Sequence, residues 1–137
     1  MNPIQRVGFV GLGNMGGPMA GHLANAGFQM TVADTAPGVA DRFVAVHGGK
    51  VAASLPDLGR AVEAVITMLP TSLIVHDVLL GGVLKGLVPG SIAIDMSTSN
   101  PIDTRKTAAK IEAHGVSMID CPVAGGVVFA ENATLSI

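Results

Sequence analysis

The stretch Val7-Gly8-Phe9-Val10-Gly11-Leu12-Gly13-Asn14-Met15-Gly16-Gly17-Pro18-Met19-Ala20 decides how this chain folds. Its apolar start reads as a buried strand, its glycines as a turn, and Pro18 onward as a helix. Gly11, Gly13 and Gly16 fit G-x-G-x-x-G, and the spacing gives each glycine its own role. The first makes a tight turn out of the strand, the second lets backbone approach a pyrophosphate closely, and the third lets helix pack closely on strand. The expected cradle is therefore Gly11, Leu12, Gly13, Asn14, Met15 and Gly16, with the anion on the helix N-terminus, where unpaired N–H groups and the macrodipole favour negative charge. In a chain with 18 glycines the same pattern also describes a bare turn, so the flanking sequence has to decide.

Working outward, strand signals alternate with helical stretches, the pattern of a parallel sheet covered on both faces. The strands expected are Arg6 to Val10, Met30 to Asp34, Lys50 to Ala52, Ala64 to Leu69, Ser91 to Met96 and Val116 to Asp120. Between them the periodicity predicts helices over Pro18 to Ala26, over Gly38 to His47, from the Ser54-Leu55-Pro56-Asp57 cap, from Thr71 or Ser72 to about Leu80, and over Pro101 to His114. Met15 and Met19 read as core fillers in their side chains. Residues 1–137 thus form one dinucleotide-binding domain of the Rossmann, doubly wound type, with strand order 3-2-1-4-5-6.

In an open parallel sheet, ligands bind beyond the carboxyl ends of the strands, and the unusual residues fall there. Gly11 to Gly16 follow the first strand, Asp34 ends the second, Leu69-Pro70-Thr71 follows the fourth, Ser97-Thr98-Ser99 the fifth, and Pro122 to Gly126 the sixth. Asp34 lies about 20 residues beyond the glycines, where a carboxylate accepts from adenosine ribose hydroxyls and repels a 2′-phosphate. Thr35-Ala36-Pro37 supplies no cation to offset that, so the expected cofactor is NAD over NADP; a plain turn aspartate is the alternative. The Ser97, Thr98 and Ser99 hydroxyls suit either the nicotinamide end or the cap of the next helix. Asp95 and Asp120 precede turns whose amides they can bond and make a poor catalytic pair. Gly125-Gly126 is either a carboxylate-binding nest or a flexible turn.

Composition removes other function classes. The hydrophobic fraction is 49%, with mean hydropathy +0.55, yet no apolar run reaches the ~18 residues of a membrane span, and no secretory pattern opens the chain. A net charge of -2 with scattered basic residues, and no Trp or Tyr, leaves no nucleic-acid footprint. Cys121, the only cysteine, makes no internal disulfide and no zinc cluster, and His22, His47, His76 and His114 have no metal-ligand spacing. Cys121 has no histidine in a recognisable nucleophile pattern and reads as a small, partly buried thiol. A cytoplasmic location is the default expectation.

These residues resemble the β-hydroxyacid dehydrogenases, of the 3-hydroxyisobutyrate dehydrogenase and tartronate semialdehyde reductase type, over essentially the whole chain. The resemblance rests on Gly8 to Gly16 with Pro18-Met19-Ala20, on Met68-Leu69-Pro70, on Asp95-Met96-Ser97-Thr98, and on Asp120-Cys121-Pro122-Val123-Ala124-Gly125-Gly126. It implies that Gly11 to Gly16 bind the NAD pyrophosphate, Asp34 the adenosine ribose, Leu69 and Pro70 the middle of the cofactor, and Thr98 the nicotinamide ribose region. The turn of Ala124, Gly125 and Gly126, with Ser97, would hold the substrate carboxylate. Ala124 stands where the family usually has serine, a loss of about 1–3 kcal/mol if the partner stays unpaired. Ile74 stands where several members have asparagine.

The family's catalytic lysine, in a G-x-x-x-K-x-x-x-N helix, and its closing helical domain are not found before Ile137, and Lys50, Lys85, Lys106 and Lys110 do not match that motif. The chain is accordingly expected to be truncated inside or just before a further strand, to bind NAD and a small hydroxyacid, to be nearly inactive alone, and to form a homo-oligomer through exposed apolar surface. Two readings compete: a non-catalytic dinucleotide-binding or interaction module of the same fold, and an S-adenosylmethionine-dependent methyltransferase, against which the glycine spacing and the later motifs argue.

Overall fold

The computed structural model describes residues 2–137. Its elements run β1 (Arg6–Val10), α1 (Gly16–Asn25), β2 (Gln29–Ala33), α2 (Val39–His47), β3 (Lys50–Val51), α3 (Leu55–Ala61), β4 (Ala64–Thr67), α4 (Ser72–Gly81), a 3-10 turn (Val83–Lys85), β5 (Ile92–Asp95), α5 (Pro101–Glu112), β6 (Ser117–Asp120) and α6 (Gly126–Glu131). The strands form one parallel sheet in the order 3-2-1-4-5-6, as the alternation of strand and helix signals implies. Val7 of β1 faces Met30 of β2 on one side and Ala64 of β4 on the other. Across the base of that second pairing, the Glu63 carboxylate accepts from the amides of Gln5 and Arg6 at 2.9 Å each.

Because side chains alternate along a strand, β1 feeds two cores. Val7 and Phe9 pack with Met19, Ala20, Met30, Phe43, Ile66 and Ala130 on the face covered by α1, α2 and α6. Val10 packs with Leu58, Val65, Leu79, Ala93 and Ile111 on the face covered by α3, α4 and α5. A sheet buried on both faces explains why β1 and β4 read as continuous apolar runs. Met19 is buried and Met15 packs against the same cluster, so both methionine side chains fill core.

Helix starts follow local chemistry. Ser54 Oγ accepts from Asp57 N at the start of α3, Thr71 Oγ1 from Ile74 N at α4, and Asn100 Oδ1 from Ile102 N, just ahead of Pro101, at α5. Strand β1 has the expected bounds, β2 is shifted by one residue, β3 to β6 are shorter than expected by one or two residues, and α1 begins at Gly16 instead of Pro18.

The end of the chain differs more. An additional helix, α6, follows β6 where the sequence suggested only a nest or a turn at Gly125-Gly126, and the chain then doubles back so that Ala124 and Ser136 make an isolated antiparallel bridge. The helix is six residues long, begins after Gly125 at φ +131°, and has no capping side chain, so it carries no start signal. Among the described residues no helix is long and apolar enough to cross a membrane.

Phe9 is fully buried at the centre of the first core. Phe9→Ala is expected to destabilise the domain by about 3–5 kcal/mol, read as a lowered urea midpoint with an unchanged slope.

Candidate dinucleotide site

The sheet brings the β1, β2, β4 and β5 loops to one edge, and the glycine turn sits at its middle. Gly11 leaves β1 with φ +99° and donates its amide to Ala33 O at 3.0 Å; a Cβ there would lie 2.2 Å from Met68 O. A Cβ on Gly16 would lie 1.8 Å from Gly11 O, so the first residue of α1 and the turn touch backbone to backbone. Gly13 differs from both: a Cβ there would meet nothing within 4 Å and would project into open space.

Among the described residues the amides of Gly13, Asn14 and Met15 have no acceptor, and the first turn of α1 holds neither a capping side chain nor an acidic one. Together these make a concave donor surface that a pyrophosphate fits and that a side chain at position 13 would fill. Leu12 is buried and contributes its backbone.

Asp34, half-buried at the end of β2, is tied on both oxygens. Oδ2 accepts from Leu12 N at 2.8 Å and Oδ1 from Ala36 N at 2.8 Å. A carboxylate offers about four acceptor positions, so both oxygens retain capacity for ribose hydroxyls. The aspartate of a turn and the ribose acceptor are thus compatible in one residue.

A groove of about 470 Å³ brings Gly11, Gly13, Asp34, Leu69, Pro70 and Ile74 together. Gly13 and Asp34 also line a second groove, together with Leu12, Asn14 and Arg42 of α2. Sequence reasoning missed Arg42; its spacing of three from Val39, on the helix stripe that also carries Phe43, was the available signal. Thr98, Ala124, Gly125 and Gly126 line neither groove. Thr98 is exposed beyond β5, and Gly125-Gly126 sits at the start of α6. Ala124 is held in both directions by Ser136, its amide donating at 2.9 Å and its carbonyl accepting at 3.0 Å.

The three hydroxyls after β5 divide their work. Ser97 is fully buried: its Oγ accepts from Leu69 N at 2.9 Å, and its own amide donates to Asp95 Oδ1 at 3.1 Å. Ser99 Oγ donates to Asp95 Oδ2 at 2.7 Å, while Asn100 caps α5. The Thr98 hydroxyl alone among the three has no protein partner among the described residues. Asp120 faces Asp95 across β5 and β6. Its carboxyl is held above the usual range, first by partial loss of water and second by the Asp95 charge. None of Lys50, Lys85, Lys106 and Lys110 lines either groove.

A doubly wound parallel sheet with a glycine turn on a helix N-terminus and an acid at the end of β2 defines a dinucleotide-binding domain. Residues 6–137 match the family model described as the NAD binding domain of 6-phosphogluconate dehydrogenase, and the chain belongs to that family, with NAD as its cofactor. It is 39% identical over 132 residues to the mitochondrial 3-hydroxyisobutyrate dehydrogenase of Rattus norvegicus, covering 95% of this chain and 39% of the relative. It is 36% identical over 135 residues to the NAD-dependent L-serine dehydrogenase of Pseudomonas aeruginosa, covering 97% and 45%. The solved Mycobacterium tuberculosis 3-hydroxyisobutyrate dehydrogenase with L-serine superposes with a TM-score of 0.90 at 40% identity, over 97% of this chain and 45% of that one. The chain therefore spans less than half the length of these relatives.

The two inner glycines should separate by assay. Gly13→Ala is expected to keep the wild-type melting temperature and weaken NADH binding at least tenfold by calorimetry, because its methyl occupies the phosphate space. Gly16→Ala should lower the melting temperature, since backbone must move to admit the methyl. For Asp120, an exposed residue, partial loss of water and the Asp95 charge disfavour the ionised form, so stability falls as pH rises from the unfolded-state pKa, the loss is complete above the raised folded-state pKa, and there is no effect once both states are protonated. Asp120→Asn should accordingly raise stability near neutral pH and leave it unchanged near pH 3, measured by denaturant unfolding at both.

Proposed function

We propose that the chain is the cofactor half of a dehydrogenase that interconverts a 3-hydroxy acid of the 3-hydroxyisobutyrate type and its semialdehyde, and that residues 1–137 act as one dinucleotide-binding domain. The observation that carries the reading is the empty space over Gly13, bounded by free amides on one side and by Asp34 on the other. Bound NAD supplies the hydride acceptor. The turn from Gly11 to Gly16 holds the pyrophosphate through the free N–H groups of Gly13, Asn14 and Met15, while the Leu12 N–H ties the turn to Asp34. Asp34 orients the adenosine ribose, Leu69 and Pro70 wall the groove, and the unclaimed hydroxyl of Thr98 serves the nicotinamide ribose.

The Gly125 and Gly126 amides hold the substrate carboxylate, with Ala124 beside them and Ser97 fixing the floor of the site from within. Fixing both partners in one geometry is this domain's contribution to rate. None of its lysines stands at the groove to take the hydroxyl proton, so the chain alone is expected to turn over very slowly. The names of the relatives, dehydrogenases of 3-hydroxyisobutyrate and of L-serine, support a small hydroxyacid as substrate.

Self-association belongs to the same reading, because Val127, Val128, Phe129 and Ile137 are exposed together near the chain's end. A reducing, cytoplasmic setting rests on the free thiol of Cys121.

Calorimetric titration of the folded chain with NADH, NADPH and S-adenosylmethionine tests the cofactor assignment. NADH is expected to bind and the other two to bind at least tenfold more weakly. Asp34→Asn keeps an acceptor for Leu12 N but removes the charge, and should cost about tenfold in NADH affinity while narrowing the gap to NADPH. A folded chain that ignores NADH would overturn the reading in favour of a retained scaffold.

A further inference from the structure

Asp95 stands out among the charged groups of this chain. It is fully buried, and among the described residues no cation lies beside it: the ion pairs join Arg6 to Glu63 and Arg60 to Asp57. A buried carboxylate without a cation is costly unless donors surround it. Here three converge. Oδ1 accepts from Thr67 Oγ1 at 2.9 Å and from Ser97 N at 3.1 Å, and Oδ2 accepts from Ser99 Oγ at 2.7 Å.

The donors come from the end of one strand and from the loop after the next. Thr67 ends β4, and Ser97 and Ser99 belong to the loop after β5. Ser97 then passes the connection back, its Oγ accepting from Leu69 N at 2.9 Å. The carboxylate and one serine thereby join the β4–α4 and β5–α5 loops at the carboxyl edge of the sheet. Thr98 lies between the two anchored residues, exposed, with its hydroxyl unclaimed.

We propose that Asp95 is a positioning residue that latches these two loops and so fixes the Thr98 hydroxyl toward the nicotinamide half of the bound dinucleotide. The inference rests on the NAD reading given above. The residue type follows from the donor count. An ionised carboxylate accepts at both oxygens, whereas an asparagine at the same place has one acceptor atom and brings two N–H donors of its own. With Oδ1 taken by Thr67 Oγ1 and Ser97 N, an asparagine would face the Ser99 hydroxyl with an N–H, so that bond would have to reverse and the charge that draws all three donors would be gone. Asp95 also acts across the sheet, since its charge helps to hold the Asp120 proton.

The test compares NADH with ADP, which shares the adenosine and pyrophosphate but lacks the nicotinamide ribose. Binding of each to the 137-residue chain is measured by calorimetry for the wild type, Asp95→Asn and Ser99→Ala. Both variants are expected to lose about tenfold in NADH affinity while holding ADP within twofold, and in Asp95→Asn the Asp120 carboxyl should titrate at lower pH by NMR. Ser99→Ala removes one donor from the latch and decides the matter should Asp95→Asn fail to fold. If the variants bind both ligands as the wild type does, or weaken both equally, the positioning role is overturned. If the folded wild type binds neither NADH nor ADP, the cofactor reading itself fails, and this role with it.

Discussion

The contact on which the rest depends is backbone against backbone: the first residue of α1 lies so close to the carbonyl of Gly11 that the chain has no room for a Cβ at Gly16. That approach sets the angle at which the helix leaves the turn, and with it the direction of the unpaired amides of the first turn. A second approach, Gly11 against the carbonyl of Met68, fixes where the β4 loop passes. Two carbonyl oxygens thus position both the anion cradle and the wall opposite it. The amide of Leu12 on Asp34 adds the third side, so that one turn is held by β2, β4 and α1 together. The geometry of the site is a property of the main chain, and this is why short glycine motifs carry so much of it.

The sequence made the fold legible to the extent that apolar periodicity and turn chemistry specify it. Strand order, the two-sided burial of β1 and the caps at Ser54 and Thr71 all have local signals and agree with the structure, whereas the cap of α5 falls to Asn100 and not to the Ser97, Thr98 or Ser99 hydroxyl. The roles of Gly11 and Gly16 were legible too, because only a missing Cβ permits them. The features that escaped depend on tertiary placement. Helix α6 starts at a glycine pair without a cap, which reads locally as a turn. Arg42 reaches the groove only because α2 packs its Val39 and Phe43 side there.

The hydroxyls after β5 show the same limit more finely. Ser97, Thr98 and Ser99 all carry hydroxyls, yet the fold gives the Ser99 hydroxyl to Asp95, the Ser97 hydroxyl to Leu69 N, and leaves that of Thr98 exposed. No periodicity separates them. What separates them is the register that sets Thr67 beside Asp95, and Asp95 beside Asp120, at the ends of three adjacent strands.

The order 3-2-1-4-5-6 also governs when the molecule can become itself. Strand β1 is the first part of the sheet to be made, yet it lies at the centre, and its second neighbour waits for β4. The Arg6–Glu63 link at that seam joins residues 57 positions apart. At roughly 5–20 residues per second of synthesis, the interval is on the order of seconds. Through that interval one edge of this largely buried strand stays unpaired, and pairings so distant in sequence close slowly even in a finished chain. The nascent chain is therefore most vulnerable to wrong pairing before β4 emerges, and the first half of the sheet is a waiting template.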